Sequence, residues 1–254
     1  MPPAISDQNK FLSDLSANEL AVLRPHLVDF DITAGDCLHH IGDPIERIVF
    51  PHSGVICMTL PLRDAAGAVV ALVGREGVVG GLSATASMPS SCNAEVHIGG
   101  RASLISAAAF RNVLDRHPGI GRLAARYDAA MMTQVQQNAV CNAAHKVEGR
   151  ISRRLLELYD RSGDDKIPLM HNTLAQMLAI RRTTVTLVAG NLEKDGAIIC
   201  GRGYMQIVNR DALQRRSCEC YGRVKGYVER LHAAHQQEIV ERSEFSKPPK
   251  AVPV

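Results

Sequence analysis

Five polar residues at the head of one short segment carry the strongest chemical signal in this chain: Arg181, Arg182, Thr183, Thr184 and Thr186. An arginine guanidinium can bond guanine O6 and N7 together, and a threonine hydroxyl can reach a base or a phosphate. At a helix N-terminus the backbone N–H groups and the dipole add their own attraction for anions. Arg202, flanked by Gly201 and Gly203, is a further cation suited to a phosphate. The chemistry these residues point to is recognition of double-stranded DNA.

The elements that must hold them can be read around them. Leu174–Leu178, with Gln176 on its polar side, predicts a short helix, and Ala179, Ile180 and Arg181 a tight turn. Arg182–Lys194 predicts a second helix whose Val185, Val188, Ala189 and Leu192 recur at core-facing spacing. Small Ala175 sits where two such helices would cross closely, and Gly196 stops the second one. Ile198–Cys200 and Met205–Val208 then predict a hairpin with Arg202 at its tip. The pattern is a helix-turn-helix followed by a wing, in which the second helix enters the major groove. The candidate DNA-contacting set is Gln176, Arg181, Arg182, Thr183, Thr184, Thr186 and Arg202.

Charge follows the same division. Residues 1–145 carry 10 Lys and Arg against 13 Asp and Glu, residues 146–216 carry 13 against 8, and residues 217–254 carry 6 against 5. A basic segment on a mildly acidic remainder is the footprint of a module that meets phosphates. With 46% hydrophobic and 22% charged residues among 254, the chain can bury a core. Its longest uncharged apolar run, Ala65–Gly74, is about half of what a membrane-spanning helix needs. The polar start, Met1–Lys10, does not read as a signal peptide, so the expected location is the cytoplasm, with no membrane partner.

Upstream, Ser16-Ala-Asn-Glu19 predicts a capping box. From Phe30 to about Ser106, short β-rich runs alternate with glycines, as in an antiparallel sandwich or barrel, and Asp64–Gly67 predicts a hairpin turn. Pro118 opens a long helix to about Asn142 whose stripe Ile120, Leu123, Tyr127, Met131 and Val135 is expected to pair with its copy in a second chain. A helix over Lys146–Asp160 should turn Val147, Ile151, Leu155 and Leu158 inward and Arg150, Arg153, Arg154 and Arg161 outward. The expected division is residues 1–117 as a sensor domain, 118–145 as the dimer helix, 146–240 as the winged domain with a C-terminal helix, and 241–254 as a disordered tail.

The seven cysteines are scattered, no Cys-x-x-Cys occurs, and Cys218 and Cys220 would face different sides of a helix. No metal or cofactor is therefore expected, and the thiols are expected to be reduced and mostly buried.

From about residue 15 to 235 the chain resembles the Crp/Fnr superfamily of transcriptional regulators. The resemblance rests on Gly35, Gly54 and Gly77–Gly81, on the long helix after Pro118, on Leu174-Ala-Gln-Met-Leu178 with Arg181-Arg-Thr-Thr-Val-Thr186, and on Leu192-Glu-Lys-Asp-Gly-Ala-Ile198. It implies an α+β chain: an N-terminal double-stranded β-helix or β-roll, a dimer helix, and a C-terminal winged helix-turn-helix. It also implies a homodimer that binds a two-fold symmetric operator and touches RNA polymerase. The implied effector pocket falls on Val79, Gly80, Gly81, Leu82, Cys92 and Asn93.

The departures restrict that reading. Relatives that bind cyclic AMP hold the ribose with a Gly-Glu pair and the phosphate with an Arg-Ser about ten residues on. Here the pair falls on Gly80-Gly81, and no arginine lies between Arg75 and Arg101. Iron–sulfur relatives need several cysteines near the N-terminus, where only Cys37 and Cys57 occur in the first 90 residues. In the second helix, Arg182 matches the guanine-contacting arginine of relatives, while Thr183 and Leu187 replace a glutamate and a second arginine. The effector is thus expected to be no cyclic nucleotide, and the operator to differ from that of the cyclic-AMP receptor.

Rival readings are a thiol-responsive regulator using Cys92 or Cys218 and Cys220, a protein-interaction scaffold with a degenerate helix-turn-helix, a cupin-like enzyme using His39, His40, Glu46 and His52, and a haem protein using His52 or His97. The cupin reading fails on spacing, because neighbours on a strand point to opposite faces. Of these, no enzymatic activity is expected.

Overall fold

A computed structural model describes residues 9–63, 65–81 and 86–245 of the chain. Two short helices, α1 (Lys10–Asp14) and α2 (Ala17–Leu23), lead in. Ser16 caps α2, its Oγ accepting from the Glu19 amide while the Glu19 carboxylate accepts from the Ser16 amide at 3.1 Å. Seven strands follow: β1 (Val28–Ile32), β2 (Cys37–His39), β3 (Arg47–Pro51), β4 (Val55–Leu62), β5 (Ala65–Val73), β6 (Asn93–Ile98) and β7 (Gly100–Ser106). They form two antiparallel sheets, ordered β1-β7-β3 and β2-β6-β4-β5. Their inner faces bury Ile32, Val49, Ile56, Val73 and Val96, as alternating strand residues must when one face meets a core, and Val79 from the segment after β5 joins them.

The hairpin between β4 and β5 is tighter than the sequence suggested. Leu62 already pairs with Ala65, so Gly67 lies inside β5 at a register shift rather than in the turn. Its φ of +75°, and a Leu60 carbonyl oxygen 2.5 Å from where a Cβ would stand, fit a bulge that only glycine fills without strain.

Helix α3 (Ala107–Arg116) leads to the 27-residue α4 (Pro118–Ala144). Phe11, Phe50, Phe110 and Tyr127 form an aromatic cluster against the first half of α4, with Tyr127 edge-on to Phe11 at 5.2 Å. Ile120 and Leu123 are buried in the same cluster, Met131 packs on the β-roll core, and Val135 lines a cavity beside it. The stripe assigned to the dimer contact, Ile120, Leu123, Tyr127, Met131 and Val135, therefore covers the chain's own β-roll. Ile120, Leu123 and Tyr127 are buried within the chain itself, while Met131 and Val135 stay half-buried; an apolar stripe does not say whose core it covers.

Helix α5 (Val147–Ser162) departs from the expectation as well. Arg153 and Arg154, expected to face solvent, are 3% and 4% exposed. Both are ion-paired to Glu157 on the same helix: Arg153 Nε donates a hydrogen bond to it at 2.8 Å, and a terminal nitrogen of Arg154 lies 3.2 Å away. Arg153 also donates to Asn138 Oδ1 of α4, and Asn138 returns to the Val70 carbonyl of β5. Burial alone would raise the Glu157 pKa, but the neighbouring Arg154, Arg153 and Arg161 outweigh it and hold the carboxyl below its ordinary value.

Then come β8 (Lys166–Ile167), α6 (His171–Leu178), α7 (Arg182–Lys194), β9 (Ile198–Gly201), β10 (Tyr204–Ile207), α8 (Arg210–Arg216) and α9 (Cys220–Phe245). The strands form a sheet ordered β8-β10-β9. Helix α9 runs to Phe245, past the expected start of a disordered tail at 241; residues 246–254 lie outside the described residues. No described helix is long and apolar enough to cross a membrane.

Candidate nucleic-acid interface and effector cavity

Helices α6 and α7 meet at a three-residue turn. Ala179 takes the left-handed conformation (φ +51°), its N–H and that of Ile180 closing on the last turn of α6. Ala175, 4% exposed, lets the helices approach. Val185, Val188, Ala189 and Leu192 bury one face of α7 in the core shared with α5 and the wing. At its far end Gly196 (φ +67°) donates to the Glu193 carbonyl and Ala197 to that of Leu192. The opposite face is left to solvent, as the spacing of its polar residues requires.

On that face Arg181, Arg182, Thr183 and Thr186 are exposed and Thr184 is half-buried. Arg181 is the N-cap residue, so the side chains after it radiate from the positive end of the helix dipole. Thr186 Oγ1 donates to the Arg182 carbonyl at 3.2 Å and meets His171 Nδ1 at 3.0 Å, which orients it. Arg202 stands exposed at the wing tip, beside Gly203 at φ +84°. Gln176 differs from the rest: it is exposed but lines a cleft between α6 and the outer β-roll sheet, with Cys37, His40 and Thr59 opposite. Leu187 was recognised as a departure from the family pattern but not as a contact residue. It is 68% exposed on the same face, one turn beyond Thr183, where an apolar side chain could meet a thymine methyl. An apolar residue at a polar helical position was the available signal.

A second cavity, about 360 Å³, lies between the β-roll and α4. Gly80, Gly81 and Cys92 line it, together with Met58, Leu72, Met131 and Val135. Val79 is not at its wall: it is buried, and its backbone pairs with Val49. Asn93 lies in the cleft near Gln176 instead, its Oδ1 accepting from the Ile41 amide. Leu82 lies outside the described residues. The cationic side chain at the cavity wall is Arg161, reaching over from α5, and it is ion-paired to Glu76 at 2.7 Å. Glu76 and Asp128 line the same cavity. His39 is also there, and burial lowers its pKa, favouring the neutral ring.

Burial raises the Cys92 pKa as well, which favours the protonated thiol. The same cause pushes Cys57 up to about 12 and Cys200 up to about 11. His52 is buried against Ser103 at 2.7 Å, whereas His40 and Glu46 are exposed. Among the described residues His39, His40, Glu46 and His52 form no metal-binding group. A group that the sequence reading excluded does come together: Cys141, His145, Cys218 and Cys220. Cys218 and Cys220 do not share a helix, since Cys218 precedes α9, and so they are not held to different helix faces.

Two family models match the chain, the cyclic nucleotide-binding domain over residues 30–117 and the Crp-like helix-turn-helix domain over residues 149–216. Similar solved structures include the c-di-GMP-responsive global regulator CLP of Xanthomonas campestris, 16% identical over 76% of this chain and 99% of that one, with a TM-score of 0.63. FixK2 from Bradyrhizobium japonicum is 14% identical over 76% and 98% of the two chains, with a TM-score of 0.60. A Crp/Fnr-family transcriptional regulator from Thermus thermophilus is 20% identical over 75% and 98%, with a TM-score of 0.63. No curated protein matches.

Proposed function

The chain belongs to the Crp/Fnr family of transcriptional regulators, and from that premise we propose that it binds a two-fold symmetric DNA operator as a homodimer in the cytoplasm, under control of a ligand in the β-roll cavity other than a cyclic nucleotide. The observation that carries the reading is the solvent-facing N-terminal face of α7, where Arg182, Thr183 and Thr186 follow an N-cap arginine. Arg182 reads a guanine, Thr183, Thr186 and Leu187 contact neighbouring bases, and Arg181 and Arg202 hold phosphates. A surface of the bound dimer is left for RNA polymerase, as in the family.

The dimer contact moves to the outer face of α4. Ala125, Ala129, Met132, Gln136, Ala139 and Ala143 alternate at spacings of four and three, and all are exposed. That is the rhythm of a coiled-coil seam, and its small residues allow close approach of a second copy.

The ligand is chosen by what the cavity lacks. A cyclic phosphate needs a charge-assisted donor, and the arginine within reach is committed to Glu76. The apolar wall of Met58, Leu72, Met131 and Val135 suits a largely apolar effector.

Unbiased selection of DNA fragments bound by the full-length protein tests the reading. It should enrich a palindrome with half-sites about one helical turn apart, and millimolar cyclic AMP should change neither the motif nor the affinity. Failure to enrich any motif overturns the DNA reading. A motif that emerges only with cyclic AMP overturns the reading of the cavity.

A further inference from the structure

The C-terminal end of α4 and the start of α9 bring three thiols and an imidazole to one point. Cys141 Sγ lies 3.5 Å from Cys218 Sγ, Cys220 Sγ lies 3.4 Å from His145 Nδ1, and all four candidate ligand atoms fall within 4.8 Å of one another. We propose that Cys141, His145, Cys218 and Cys220 bind one tetrahedral zinc ion that fastens the dimer helix to the C-terminal helix beside the joint with the winged domain.

The separations are those of a single ion. With Zn–S of about 2.3 Å and Zn–N of about 2.1 Å, the edges of a ligand tetrahedron measure roughly 3.6–3.8 Å. An iron–sulfur cluster spreads its thiolates over several irons and needs them farther apart. Three thiolates and an imidazole are also a soft donor set, suited to zinc and unsuited to magnesium or calcium.

The surroundings are arranged as a metal site requires. His145 Nε2 meets Glu219 Oε1 at 3.1 Å; donating its proton there leaves Nδ1 as the lone-pair nitrogen directed at Cys220. Gln137 Nε2 donates to Cys220 Sγ at 2.9 Å, a contact that favours the thiolate. Loading the site releases three thiol protons to solvent and leaves a net charge of about −1, which the adjacent Arg153 guanidinium offsets. Cys141 and Cys220 are buried, and four protein ligands close the shell, so the site is structural rather than catalytic.

Its position states what it holds. His145 ends α4, and Lys146 opens the next helix. The Cys218 amide donates to the Gly149 carbonyl, and a Cβ at Gly149 would stand 3.3 Å from that amide nitrogen. The ion thus joins α4 and α9 where α5 passes closest to both.

Metal analysis of the tag-free full-length protein, purified under reducing conditions, should find one zinc per chain. Replacing it with cobalt should give thiolate-to-cobalt charge transfer and the visible bands of a tetrahedral ion. Cys218→Ser and Cys220→Ser should lose most of the metal, His145→Cys should retain it, and Cys92→Ser should be unchanged. If the serine variants do not fold, the wild-type cobalt spectrum and His145→Cys still decide. A folded, reduced wild-type protein that takes up neither metal overturns the proposal. Iron with sulfide in anaerobic preparations, or a Cys141–Cys218 disulfide in protein supplied with zinc, overturns it equally.

Discussion

Two arginine doublets, Arg153-Arg154 on α5 and Arg181-Arg182 at the head of α7, meet opposite fates. The first pair is buried around Glu157, and Arg153 is tied to Asn138 of the long helix. The second pair stands in solvent at a helix N-terminus whose first turn holds no acidic residue, and no ion pair to it is formed among the described residues. Residue type is the same; what differs is whether the fold supplies an anion. Where it does, arginine becomes an internal tie, and where it does not, arginine is left to meet an anion from outside. The first pair therefore ties α5 to α4, and the second is left available for the DNA contacts proposed above. Arg161 lies between these roles, bonding Glu76 at the cavity and the Glu157 carbonyl, so cavity and winged module share one chain of contacts.

The largest effect should come from breaking the buried pair. Glu157→Gln leaves two enclosed guanidinium groups without their counter-charge, and removing one partner of a buried ion pair costs about 3–5 kcal/mol. Denaturant unfolding should register at least the lower end; a loss below about 1 kcal/mol would mean that water reaches the site. The pH dependence has a definite sign. Because the folded-state pKa of Glu157 is depressed, its contribution is complete above the ordinary glutamate range and is lost as pH falls through the lower folded value. Wild type should therefore lose stability on acidification more steeply than Glu157→Gln.

The same contrast explains what could be read without coordinates. The winged module was legible because its signals are local: a left-handed turn at Ala179, a terminating Gly196, and a wing turn at Gly203. The capping box at Ser16 was legible for the same reason. Arg153 and Arg154 were misplaced because the residues that enclose them, Asn138 and the strand carrying Val70, are distant in sequence. The stripe on α4 was legible as a periodicity, but that the chain's own core would take Ile120, Leu123 and Tyr127 was not. The Cys141–His145 and Cys218–Cys220 pairs were missed because neither spacing resembles a familiar ligand motif and more than 70 residues separate them. In each case the missing information was a long-range contact rather than a local preference.

A smaller effect should follow from cutting back the exposed pair. Arg182→Ala removes a side chain whose surroundings are solvent, so unfolding should change little. Operator affinity should fall at least tenfold, since a bidentate arginine–guanine contact contributes about 1–3 kcal/mol and a dimer makes it twice. Preference should relax at one symmetric pair of base positions. If instead the selected motif is unchanged while affinity falls uniformly, Arg182 holds a phosphate, and base reading passes to Thr183, Thr186 and Leu187.

The smallest effect belongs to Arg202, which sharpens the distinction between reading and holding. It stands at the wing tip on a turn that Gly203 makes possible. A phosphate contact carries no sequence information, so Arg202→Ala should weaken every DNA sequence by about the same factor and leave the selected motif intact. Its signature is in salt. Each phosphate neutralised releases close to one counterion, so losing one contact per subunit should lower the slope of log affinity against log salt by roughly one to two units per dimer. Titrations of operator and of unrelated DNA across a salt series, for wild type and variant, measure both quantities together. A variant that loses preference at a base position, or that keeps the wild-type slope, would show that the wing does not hold the backbone and that its arginine, like those of α5, serves another purpose.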